Sequence, residues 1–142
     1  MLKVISFSFS GVAQMDAANE IRRKVFVEEQ QVSREEEYDA FEESSIHYLV
    51  SLNDVPVGTA RWRITKDGIK LERFAVLQEY RNSGAGTVIL KKILEDVIPL
   101  GKKIYLNAQI TAINFYLKAN FATEGDEFIE ANIRHYKMVL QK

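Results

Sequence analysis

The residues with the densest chemical content form the run Arg81-Asn82-Ser83-Gly84-Ala85-Gly86-Thr87, where a strand gives way to a helix. Beyond Gly86, Leu90, Ile93, Leu94, Val97 and Ile98 recur at three- and four-residue spacing, with Lys91, Lys92, Glu95 and Asp96 between them. That period predicts an amphipathic helix, closed by Pro99 and Gly101. The first amides of a helix have no intrahelical partner and sit at the positive end of its dipole, and a glycine there has no Cβ to hold a ligand away. Such a turn suits a phosphate or diphosphate, and Arg81 adds a guanidinium fork for the same group. A glycine-bearing loop also serves simply to turn the chain, and the loop alone does not decide between the two. A nucleoside-triphosphate loop is excluded because no Lys-Ser/Thr follows Gly86, and a dinucleotide fingerprint because its third glycine would fall at Ile89.

The run Arg81-Asn82-Ser83-Gly84-Ala85-Gly86 resembles Arg/Gln-x-x-Gly-x-Gly/Ala, the acyl-coenzyme A diphosphate loop of the GCN5-related N-acetyltransferase (GNAT) family. Residues 109–121 are similar to that family's Asn-x-x-Ala-x-x-Leu-Tyr-x-Lys-x-Gly-Phe, with Ala112, Phe115, Tyr116, Lys118 and Phe121 in register. Gln109 stands where the pattern has asparagine. Asn120 replaces the glycine, and asparagine also takes the left-handed conformation that ends a helix. Val25-Phe26-Val27-Glu28-Glu29-Gln30 looks like the Val-Phe-x-x-Glu-Gln signature of one branch. Ile133-Arg134-His135-Tyr136-Lys137-Met138 resembles the Ile-Pro-His-x-x-Met of a small single-domain bacterial branch, with Arg134 in place of proline. The resemblance covers nearly the whole chain in the family's order.

The resemblance implies an α/β (α+β) fold: a mixed, mostly antiparallel sheet of six to seven strands with a bulged, splayed fourth strand and flanking helices. It implies acetyl-coenzyme A as co-substrate. Main chain at Phe74, Ala75 and Val76 would hold the pantetheine arm, and Arg81, Asn82, Ser83, Gly84, Ala85, Gly86 and Thr87 the diphosphate. Gln109, Asn114 and Lys118 would complete the cofactor site. The residues themselves carry a sign of the bulge. Ile69 and Leu71 share one parity and Phe74 and Val76 the other, which one extra residue near Glu72-Arg73 would reconcile, as would burial of both faces.

Acyl transfer to an amine needs a base, donors for the developing oxyanion, and a proton for the departing thiolate. The resemblance places a tyrosine near the cofactor sulfur, at Tyr116, and a phenol is protonated at neutral pH. Phe115-Tyr116 also reads as ordinary core. Two residues compete as base. Glu72 lies on the bulged strand, where burial would tune a carboxylate upward; His135 matches the branch's C-terminal histidine, and histidine suits the task by type. His47 reads as a satisfied strand residue.

The 142 residues suit one domain spanning 1–142, with 46% hydrophobic and 27% charged residues. A net charge of −1 gives no basic excess for nucleic acid. No cysteine and two histidines argue against disulfides, a cysteine nucleophile and a metal site. No apolar run suggests a signal peptide or membrane span, so a cytoplasmic protein is expected. A small-molecule amine is the expected partner, and a homodimer is compatible with the resemblance.

Strands are predicted over 4–9, 46–52, 57–64 and 104–108, helices over 12–27 and 111–119, and a resumed strand at 121–123, with a loop and one last strand to the C-terminus. The first helix should bury Ala17, Ala18, Ile21 and Val25 and end in the positive charge of Arg22, Arg23 and Lys24. In the third strand Ala60, Trp62 and Ile64 share one face, Arg61 and Arg63 the other, with Trp62 as core. Residues 28–43 carry eight carboxylates against Arg34. This segment is either a solvated surface or the wall of an acceptor pocket. Its charge would favour a cationic amine or polyamine; Arg61 and Arg63 point the other way, holding a substrate anion or neutralising the acidic segment. The rival to an enzyme is a non-catalytic acyl-coenzyme A sensor, which needs neither Tyr116 nor a base.

Overall fold

A computed structural model describes residues 1–37 and 39–142; Tyr38, inside the acidic segment, lies outside the described residues. The strands β1 (Leu2–Phe7), β2 (Ile46–Leu52), β3 (Val55–Thr65), β4 (Gly68–Val76), β5 (Ile104–Gln109), β6 (Phe121–Glu130) and β7 (Ile133–Leu140) form one seven-stranded sheet in the order β1-β2-β3-β4-β5-β7-β6. Every neighbouring pair is antiparallel except β4 and β5. The α-helices are α1 (Val12–Arg22), α2 (Arg34–Glu37), α3 (Ala85–Val97) and α4 (Ile113–Leu117). Among the described residues no helix is long and apolar enough to cross a membrane.

Alternation along the strands gives the sheet two covered faces. Tyr48, Val50, Ala60, Ile69, Leu71 and Leu106 pack with Ile89, Ile93 and Val97 of α3 and with Tyr116 of α4. Leu49 and Ala75, on the other face, pack with Ala18, Ile21 and Val25. Trp62 is half-buried and hydrogen bonds through Nε1 to the Tyr48 hydroxyl, which in turn donates to Asp96 of α3. Ile64, past the edge of this core, is exposed.

Two boundaries differ from expectation. The first helix, expected over 12–27, is α-helical only to Arg22 and runs on as a π-helical turn, Arg23–Glu29, with Gln30 as its cap. Arg22 is buried against Glu37 and Glu42 rather than capping a free end. The stretch expected as a loop before the last strand is instead β6, paired with β7 from Phe121↔Leu140 to Glu130↔Ile133. As the outermost strand it is polar and exposed over much of its length, so it lacks the alternation that marks a half-buried strand.

β4 carries the bulge. Thr59 pairs with Ala75 and Arg61 with Glu72, so two steps on β3 oppose three on β4. Arg73 takes up the difference with φ of +56°, in the left-handed region. The extra residue brings Ile69, Leu71, Phe74 and Val76 all onto the α3–α4 face, whatever their parity.

Candidate active site

β4 and β5 pair only from Ile69↔Ile104 to Leu71↔Leu106. Beyond that point β4 follows β3 and β5 follows β7, and the two diverge. The gap between them is a cavity of about 870 Å³. Its walls include Glu72, Phe74, Ala75 and Val76 of β4, Asn107 and Gln109 of β5, Gly84, Gly86 and Thr87 at the start of α3, and Tyr116 and His135. Catalytic and cofactor candidates spread over 64 residues of sequence thus meet in one cleft.

At its floor, Gly84 caps α3 with φ of +87°. A Cβ there would meet only Leu2 Cδ1 at 3.8 Å, so the backbone and not crowding calls for glycine. Gly86 differs: its Cβ would sit 3.5 Å from Phe115 and 3.9 Å from Val76, both cavity-lining side chains. The Ala85 amide donates to Ser83 Oγ and the Val88 amide to Gly84 O. The amides of Gly86 and Thr87 are left without an intrahelical acceptor, the arrangement that receives an anion. Arg81 is already engaged. Its Nε donates to Val76 O at 3.1 Å and its two terminal nitrogens to Glu29, each at 2.6 Å. Those three bonds leave two N–H groups for an anion.

The remaining cofactor candidates divide. Ser83 serves the loop, its hydroxyl donating to Tyr80 O at 2.6 Å, and Ala85 is core. Asn82 and Asn114 are exposed and outside the cavity lining. Lys118 lines a second groove of about 570 Å³ between α3 and α4, which shares Thr87 and Phe115 with the main cavity. The Gln109 amide is taken: it and Gln30 exchange hydrogen bonds of 2.8 and 3.2 Å. Asn120 adopts φ of +72°, as the substitution for glycine requires.

Tyr116 packs edge-on against Phe74, Phe115 and Phe121. Its hydroxyl has no hydrogen-bond partner among the described residues, and burial pushes its pKa up, so the phenol stays protonated. His135 is buried and stacked on Phe128. Its Nδ1 lies 2.7 Å from Ile133 O. A carbonyl only accepts, so Nδ1 carries the proton and Nε2 is the nitrogen free to take one. His47, the other histidine, is a buried strand residue whose Nε2 meets Glu42 O at 2.9 Å.

Glu72 does not behave as an upward-tuned base. Burial pushes its carboxyl up, but the Arg63 hydrogen bond and the charges of Arg61 and Lys70 outweigh this and hold it below the ordinary carboxylate range. It accepts from Arg61 at 2.9 and 3.1 Å and from Arg63 at 2.9 Å, with Lys70 at 3.2 Å. Part of the acidic segment is likewise engaged. Glu37 and Glu42 bind Arg22, Glu42 and Asp39 bind Arg61, and Asp39 also meets Arg73. Arg61 therefore neutralises that segment, and Arg63 joins Glu72 while lying 3.7 Å above the Phe41 ring. Glu37 and Glu42, expected to draw a polyamine, face arginines instead, while Glu36 lines the cleft without an ion pair among the described residues.

Sequence reasoning passed over Arg73, Glu29 and Gln30 as site residues. The last two sit in the Val-Phe-x-x-Glu-Gln signature, and Arg73 sits where the strand's parity breaks, so both had a readable signal.

Comparison with known proteins agrees with this geometry. The family model described as an acetyltransferase (GNAT) domain matches residues 11–142. An uncharacterized N-acetyltransferase of Bacillus subtilis strain 168, YjcF, is 40% identical over 129 residues, covering 89% of this chain and 91% of that one. The crystal structure of Escherichia coli ElaA superposes with a TM-score of 0.88 at 26% identity, over 99% of this chain and 100% of that one. An aminoglycoside 6′-N-acetyltransferase complexed with coenzyme A shares the fold, with a TM-score of 0.74 at 16% identity over 96% of this chain and 95% of that one. With its diverging β4 and β5 and a family match from residue 11 to its last residue, this chain belongs to the GNAT acetyltransferase family.

Proposed function

We propose that this chain, as a single domain over residues 1–142, moves an acetyl group from acetyl-coenzyme A to the primary amine of a small molecule by direct attack in a ternary complex. The observation that carries the reading is the cleft between β4 and β5, which joins the anion-receptive start of α3 to Tyr116 and His135. Acetyl-coenzyme A supplies an activated acyl thioester. The amides of Gly86 and Thr87 and the spare N–H groups of Arg81 receive its diphosphate, and the α3–α4 groove with Lys118 extends the same surface. The unpaired edge of β4 past the bulge, from Phe74 to Val76, offers main-chain donors to the pantetheine arm and to the negative charge that develops on the acyl oxygen.

His135 Nε2 takes the amine proton as the nitrogen–carbon bond forms. Tyr116 donates to the sulfur as the carbon–sulfur bond breaks. Its raised pKa disfavours full transfer to an alkyl thiolate, whose type titrates at about 8.5. Tyr116 thus acts chiefly through its hydrogen bond, and the proton balance of the thiol closes through solvent. Glu72, held ionised by three cations, anchors β4 rather than taking protons. The His135 position within Ile133-Arg134-His135-Tyr136-Lys137-Met138 supports placing the chain in the branch with that C-terminal pattern.

The test is release of free thiol from acetyl-coenzyme A across a broad panel of amines, with calorimetric binding of coenzyme A in parallel. Amine-dependent thiol release is expected. Tight binding with no turnover for any amine would replace the enzyme by an acyl-coenzyme A sensor.

A further inference from the structure

Within the ion-pair network on the acceptor side of the cleft, cations outnumber carboxylates. Five cations, Arg22, Arg61, Arg63, Lys70 and Arg73, meet four carboxylates, Glu37, Asp39, Glu42 and Glu72. The deficit falls on Arg73. Its single carboxylate contact among the described residues is Asp39 Oδ2 at 3.1 Å, and Arg61 holds that same oxygen at 2.7 Å. The Arg73 Nη2 otherwise rests on the carbonyls of Glu36 and Glu37 at 3.4 and 3.2 Å. Among the described residues its Nε is buried without a partner and its Nη1 has no hydrogen bond. Burial, then repulsion from Arg61 and Arg22, pushes its pKa down. A long side chain is held here at a left-handed φ that few residues adopt, in the bulge, on the wall of the cleft.

Resting on the acetyl-transfer reading of this cleft, we infer that Arg73 receives an anionic group of the acceptor, and that the acceptor is a small amine bearing one carboxylate, of amino-acid type. The spacing suits it. Arg73 lies in the bulge two residues before Ala75, so its side chain bridges to a carboxylate only a few bonds from an amine at the acyl position. Glu36 and Glu130 also line the cleft and form no ion pair among the described residues, which disfavours acceptors with further negative charge.

Three matched acceptors test this: an amino acid, its carboxamide, and the amine left by removing the carboxylate. With acetyl-coenzyme A fixed, the carboxylate compound should show the highest kcat/KM by about tenfold or more, as a charge-assisted hydrogen bond predicts. Arg73→Gln should raise KM for that compound about 10- to 100-fold, leave KM for the carboxamide within twofold, and leave KM for acetyl-coenzyme A unmoved. Arg73→Lys should recover part of the loss. A guanidinium that merely braces the Glu36 and Glu37 carbonyls would shift all three acceptors alike, and that result overturns the inference. So does equal or better turnover of the uncharged compounds, which would leave the transferase reading intact. If no amine releases thiol, the transferase reading fails separately, and calorimetric titration with the same three compounds decides. Binding of the carboxylate alone, lost in Arg73→Gln, upholds the anion site; no binding refutes it.

Discussion

Glu72→Gln distinguishes an anchor from a base. The wild-type side chain is 7% exposed and meets Arg61, Arg63 and Lys70. Glutamine keeps the shape and one acceptor oxygen, but removes a charge and turns an amide donor toward guanidinium donors. Removing one partner from a buried ion pair costs about 3–5 kcal/mol. Arg61 retains Asp39 and Glu42, so the lower end, about 3 kcal/mol, is expected. At roughly 2–4 °C per kcal/mol for a chain near this length, Tm should fall by about 6–12 °C. Urea unfolding followed by fluorescence of Trp62, the sole tryptophan, measures it. The pH dependence carries a sign. The Glu72 carboxyl is held below its unfolded value of 4.5, so its stabilisation is full above that pH and disappears as pH falls through the lower folded value. The gap between wild type and variant should therefore close in acid. kcat should stay within a few-fold. A variant as stable as wild type that loses about 10²–10⁴ in turnover, the range of a general base, would refute this assignment.

Tyr116→Phe should lower kcat by about 10²-fold, with coenzyme A affinity and Tm nearly unchanged, because the hydroxyl it removes has no partner among the described residues. Steady-state kinetics and calorimetry on the same preparation check both halves. Gly84→Ala should cost about 1–2 kcal/mol through its left-handed backbone while sparing coenzyme A binding. Gly86→Val should do the reverse, its γ-methyls projecting between Phe115 and Val76 and weakening binding at least tenfold with Tm close to wild type. His47 is held neutral: burial pushes its pKa below the unfolded value of 6.5, so its contribution is full above that pH and is lost as pH falls. His47→Gln should flatten the stability–pH slope between about pH 6.5 and 5 in urea titrations; an unchanged slope would assign the acid sensitivity elsewhere.

What was legible in the sequence was local. The parity break at Glu72-Arg73 offered the bulge as one of two readings, and the spacing after Gly86 announced α3, since both are set by periods of two and 3.6 within one element. Asn120 revealed its own backbone through the short list of residues that tolerate it. The π-helical turn was not readable, because inserting a residue into a helical turn changes the phase of the face without changing composition. The acidic segment misled for a different reason. Glu37 and Glu42 look solvated beside their neighbours, yet their partner Arg22 lies 15 and 20 residues upstream and Arg61 lies 19 beyond Glu42. A charge run shows its sign in sequence, but not whether a distant strand brings the opposite sign to bury it.

The same turn answers a problem the cleft creates. Once β4 and β5 part, no sheet hydrogen bonds fix the distance between them, and a slot of undefined width would not hold an acyl chain in reach of a proton donor. Successive residues at the end of the π-helical turn span it instead. Glu29 grips Arg81, whose Nε is fastened to Val76 at the end of β4, while Gln30 grips Gln109 at the end of β5. The turn is continuous with α1, and the two are seated on the sheet through Ala18 and Ile21 of the helix and Val25 of the turn. The two arms are therefore held to one rigid helix rather than to each other. Glutamine at 109 follows from this: its amide reaches across to Gln30, and one methylene fewer would shorten that reach.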